Sequence, residues 1–113
     1  MNLNDYSTKA LTTLTPNHAY GDITPELMAQ ILGLADESGE VLSKFKKLIR
    51  DKQGAISDED KNEIIKEIGD VLWYVNSVSH LMGYTLEQVA QINIDKLASR
   101  KQRDQIKGSG DNR

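Results

Sequence analysis

Apolar residues recur every three or four positions along most of the chain, the spacing of amphipathic helices. Leu3, Tyr6, Ala10, Leu11 and Leu14 predict a first helix from about Leu3 to Leu14. Pro16, Asn17 and Gly21 then interrupt the pattern and predict a loop. Thr24 followed by Pro25 marks the start of a second helix, because threonine caps well and proline costs nothing at the first helical position. Leu27, Ile31, Leu34, Val41, Phe45 and Leu48 form its apolar stripe, which runs to about Lys52 before Gly54. Ser57 caps a third helix, with Asp58, Glu59 and Asp60 at its positive end. Ile64, Ile68, Val71, Leu72, Val75 and Val78 give that helix a broad apolar face, and Gly83 predicts its stop. Thr85 and Gln88 fit a capping box opening a fourth helix, with Leu86, Val89, Ile92 and Leu97 facing inward. No strand pattern competes. Four helices with short connections predict an all-α, antiparallel four-helix bundle.

Length and composition narrow the picture further. At 113 residues the chain predicts one domain, with a basic, glycine-bearing tail from about 103–113. Such a chain buries only a thin core, and small helical proteins often gain more by oligomerising. A hydrophobic content of 38% and a charged content of 27% are ordinary for a soluble fold. The absence of cysteine rules out disulfides, thiolate metal sites and a cysteine nucleophile, and fits a cytoplasmic protein. No run reaches the length of a membrane span, and the N-terminus lacks a signal pattern, so no membrane partner is expected. The net charge of −3 argues against general electrostatic binding to nucleic acid.

The acids on the second and third helices carry the candidate chemistry. Glu37 and Glu40 are three apart and share a face, and Glu67 and Asp70 repeat that spacing. Antiparallel packing can bring both pairs together. Close carboxylates repel at neutral pH unless cations hold them, and hard divalent ions such as magnesium prefer carboxylate oxygen. The bland alternative is a solvated face, with a Glu40–Lys44 pair and a repulsive Glu63–Glu67 pair. Apolar neighbours on both sides of each acid pair count against it. Gly39 and Gly69 each lie beside an acid pair, although glycine costs about 1 kcal/mol inside a helix. They predict close helix approach or room for a ligand, and tight packing alone explains them equally well. Carboxylate-bridged di-iron bundles use Glu-x-x-His, whereas these motifs end in Glu40 and Asp70. His18 and His80 lie far from them in sequence, the first in a loop and the second near the end of the third helix.

The stretch Leu34-Ala35-Asp36-Glu37-Ser38-Gly39-Glu40-Val41, followed by Lys44, Lys47 and Arg50-Asp51-Lys52, resembles the first motif of MazG-like nucleotide pyrophosphohydrolases. Glu67-Ile68-Gly69-Asp70-Val71-Leu72-Trp73-Tyr74 resembles the second motif, and Asn93, Lys96, Leu97 and Arg100 the third. The beginning, Leu3-Asn4-Asp5-Tyr6, and the ending, from Ile106 to Arg113, are similar to short stand-alone members. The resemblance implies hydrolysis of a nucleoside triphosphate to a monophosphate and pyrophosphate, in pool control or house-cleaning. It implies magnesium, with manganese as the alternative, held by Glu37, Glu40, Glu67 and Asp70. It also implies that Asn93 and Lys96 contact the nucleotide, and that chains form homodimers or homotetramers. Asp36 departs from the small residue expected there, with its side chain turned away from the acid face.

Further roles follow from chemistry. One acid, Glu37 or Glu40, accepts the proton of the attacking water. Lys96 and Arg100 offer phosphate contacts; the competing reading is surface ion pairs with Asp95 or Asp104. Lys44 and Lys47 extend the acid face and either guide phosphate or stay solvated. Trp73 either stacks on a base or fills core or subunit interface. The tail either closes over phosphate or stays disordered. Two functions compete with the hydrolase: a slow nucleotide- or metal-binding sensor, and a purely structural helical oligomer.

Overall fold

The computed structural model describes residues 1–113, which form four helices and no strand. Helix α1 spans Leu3–Leu11, α2 Pro25–Lys52, α3 Asp58–Leu81 and α4 Leu86–Gln102. Thr24, Ser57 and Thr85 cap α2, α3 and α4 as their sequence predicts. The caps of α3 and α4 are full boxes, with Asp60 and Gln88 returning a bond to the cap's N–H. Helix α1 is shorter than its apolar spacing predicts. The hydroxyls of Thr12 and Thr13 donate to the carbonyls of Lys9 and Ala10, and Leu14 falls beyond the helix.

The framework is the α2–α3 hairpin, and two polar contacts set its register. At the turn, Lys52 Nζ donates to both oxygens of Asp60 at 2.8 and 3.0 Å. At the far end, Ser77 Oγ donates to Gln30 Oε1 at 2.8 Å. The acid pairs lie between these pins. Gly33 is the glycine that close packing requires: a Cβ there would overlap the Tyr74 ring, whereas one at Gly39 or Gly69 meets nothing. Neither Gly39 nor Gly69 therefore serves helix approach within the chain, which corrects the expectation for them. Gly33→Ala is expected to destabilise by about 1–2 kcal/mol, because displacing the ring outweighs the gain in helix propensity. Thermal unfolding at fixed protein concentration measures this.

The helices do not close around a shared core. Helix α4 packs on α3 alone, and α1 packs on no other helix. Only Leu48 and Ile64 are buried apolar residues, both at 7% exposure near the hairpin turn. The radius of gyration is 20.0 Å, whereas a compact chain of this length has about 13 Å. The accessible surface is 9452 Å², about 3,000 Å² above that of a compact monomer of this mass. Much of the excess is apolar. Leu42 and Ile49 are 71% and 70% exposed, and they line a groove on α2 with Gly39 and Phe45. No helix is long and apolar enough to cross a membrane.

Candidate metal centre

Three of the four predicted acids converge. Glu37 from α2 and Glu67 and Asp70 from α3 each place a carboxylate oxygen within 4.8 Å of the others. This matches the hairpin register, in which Glu37 lies opposite Asp70 between the Lys52–Asp60 and Ser77–Gln30 contacts. Glu40 lies outside the group, exposed and without a hydrogen bond or ion pair. Lys44 turns across to α3, where its Nζ lies 3.8 Å from Glu67 Oε1, instead of pairing with Glu40 along its own helix. Glu63 pairs with Lys66, which relieves the repulsion expected with Glu67.

Charge accumulates at Glu37. Partial burial first, then Asp70, Asp36, Glu67 and Glu40, hold its carboxyl above the usual glutamate value. Without a cation, the neutral form of Glu37 stabilises the fold below its unfolded value, and that contribution disappears as pH rises through the raised one. A bound cation competes with that proton. Magnesium affinity, measured by calorimetry, is therefore expected to weaken as pH falls, beginning at a higher pH than for an ordinary glutamate.

The donor set fits a hard divalent ion. All donors are carboxylate oxygens, the ligand type that magnesium prefers, and they lie within 4.8 Å of one another. No histidine or cysteine belongs to the group, so it lacks the ligands typical of zinc and of Glu-x-x-His iron sites. His18 is an exposed loop residue, and His80 is exposed in the last turn of α3.

A cleft beside the acids is lined by Glu37, Asp70, Trp73 and Tyr74. Trp73 packs edge-on against Tyr74, with ring centroids 5.0 Å apart, and over half of its surface is exposed. It is not a core residue of this chain. A second cleft, lined by Lys44, Lys47 and Lys52 together with Asp51, Asp60 and Glu63, runs toward the hairpin turn.

The α4 residues stand apart from the acids. Asn93 is exposed. Lys96 pairs with Asp111 of the tail at 3.2 Å, not with Asp95 or Asp104. Arg100 is 5% exposed and donates to the main-chain oxygen of Asp111 at 2.6 Å. It is thus a buried tail anchor rather than a surface charge.

The chain is all-helical, and its central hairpin gathers three carboxylates. Residues 24–103 match the MazG nucleotide pyrophosphohydrolase domain, and the chain belongs to that family. The match starts at the cap of α2 and ends at the cap of α4, so it contains every helix that packs on another. The chain is also 41% identical over 102 residues to the Gene 37 protein of Mycobacterium phage L5, covering 90% of each. No solved structure matches it.

Proposed function

We propose that the protein is a magnesium-dependent pyrophosphohydrolase that cleaves (deoxy)nucleoside triphosphates to a monophosphate and pyrophosphate. The observation that carries this reading is the convergence of Glu37, Glu67 and Asp70 across the hairpin, in a chain of this family. These three acids hold the metal, and Glu40, unpaired on the same helix, is the fourth ligand. A magnesium ion held there would supply charge neutralisation for phosphate oxygens and acidify the attacking water. Glu37 or Glu40 accepts the proton of the attacking water. Lys44, beside Glu67, supplies positive charge to phosphate oxygens. Trp73, exposed at the acid cleft, offers a face to the base. Lys96 and Asn93 bind the nucleotide from α4.

The same reading includes a homo-oligomer, either dimer or tetramer. The excess surface of about 3,000 Å² is of the size that obligate assemblies bury. Gly39 suits this role, since it lies in the exposed apolar groove of α2 and admits a neighbouring helix.

The test is pyrophosphate release from a panel of ribo- and deoxyribonucleoside triphosphates, with magnesium or manganese and then with chelator. Release that the chelator abolishes is expected for at least one triphosphate. Silence across the panel would overturn the hydrolase.

A further inference from the structure

The tail beyond α4 has an unusual means of attachment. No main-chain N–H from Ile106 to Arg113 donates to another main-chain carbonyl. Arginine side chains hold the segment instead. Arg113 donates from Nε to the carbonyl of Gln105, from Nη1 to that of Gly110 and from Nη2 to that of Ile106. Arg103 Nη2 donates to the main-chain oxygen of Arg113 at 2.8 Å. Arg100 Nη2 donates to the main-chain oxygen of Asp111 at 2.6 Å and lies 3.4 Å from that of Gly110. The fold-back therefore depends on arginine-to-carbonyl bonds, and the Asp111 side chain is not required for it.

That side chain points at cations. Its Oδ1 lies 3.2 Å from Lys96 Nζ and 3.5 Å from Arg100 Nη2. These two side chains also hold its carboxyl below the ordinary aspartate value, Lys96 contributing most. The carboxylate itself is 86% exposed. Arg100 Nε is buried with no acceptor, so one N–H of the guanidinium is left unsatisfied. Two cations, one with an orphaned donor, thus meet a single carboxylate that nothing else retains.

We propose that Lys96 and Arg100 form an anion site whose resident occupant is the Asp111 side chain, and that a phosphate-bearing ligand displaces it while the tail stays anchored. The inference rests on the nucleotide reading for its ligand class and adds an internal competitor to it. A polyphosphate carries several charges and several acceptor oxygens, whereas Asp111 offers one carboxylate in water, and exposed pairs of that kind are weak. The competitor is therefore easily displaced by di- and triphosphates and hardly at all by singly charged anions.

The experiment is calorimetric titration of the full chain with inorganic pyrophosphate in the absence of divalent metal. Asp111→Asn is expected to bind about threefold more tightly than the unaltered chain, matching the small worth of an exposed ion pair. Asp111→Glu, which keeps the charge, is expected to bind as the unaltered chain does. In a Lys96→Gln background the gain from Asp111→Asn should shrink, because the cycle isolates the pair. Unchanged or weaker pyrophosphate binding by Asp111→Asn overturns the competitor, as does failure of every form to bind pyrophosphate. The outcome is separable from hydrolysis. Tighter binding without turnover of any triphosphate leaves the anion site standing and removes the enzyme. Metal-dependent turnover with no effect of Asp111→Asn does the reverse.

Discussion

Asp70→Asn is expected to lower pyrophosphate release by at least about 100-fold while leaving helicity and assembly intact. Changes to groups that merely orient metal ligands already cost about 10–100-fold in affinity or activity, and Asp70 is one of the three acids in direct convergence. The substitution removes a negative charge beside Glu37, whose carboxyl is raised by partial burial first and by Asp70 next, so the metal-free chain should unfold no more readily than before. Loss of turnover joined to retained stability distinguishes a ligand from a packing residue. Turnover near that of the unaltered chain would remove Asp70 from the centre. Circular dichroism and magnesium titration on the same sample supply the controls.

Leu42→Asp combined with Ile49→Asp is expected to convert the proposed oligomer to monomer. Burying a leucine or isoleucine side chain is worth about 1.5–3 kcal/mol. Two such residues per chain, counted on both sides of a two-fold contact, amount to about 6–12 kcal/mol, or at least about 10⁴-fold in dissociation constant. Light scattering reads the mass directly. A double variant that keeps the mass of the unaltered protein places the interface on another face. Both residues are exposed and neither packs inside the hairpin core, which consists of Leu48 and Ile64.

Local signals in the sequence were legible because each is spent within a few residues. Thr24–Pro25, Ser57 and Thr85–Gln88 announce their helices, and the structure begins each one there. The acid spacing was legible for the same reason: positions three apart share a face whatever lies opposite. Contacts between helices were harder to read. Gly39 and Gly69 drew notice beside the acids, yet Gly33 is the residue that lets α2 approach Tyr74, a contact 41 positions away in sequence. Lys96 and Asp111 are likewise brought together only by the tail's return. The second apolar face of α2, with Leu42 and Ile49, does leave a sequence signal, since a spacing of seven is two helical turns. It was hidden by the stripe through Leu27, Leu34 and Leu48, because a helix apolar on two sides shows no single face. Glu40 shares its helix face with Glu37 yet its carboxylate lies outside the group of three, because side-chain direction is not fixed by spacing alone.

A chain with so little interior of its own bears on how the protein comes into being. Leu48 and Ile64 alone cannot offset the ordering of 113 residues. In the proposed oligomer, meeting of chains would add to the stability of the hairpin, so the folded fraction would rise with chain concentration. Newly made chains would then be more open to proteolysis while dilute and better protected once they associate. The protein's abundance would therefore respond to its synthesis rate with a threshold rather than in proportion, with no dedicated regulator required.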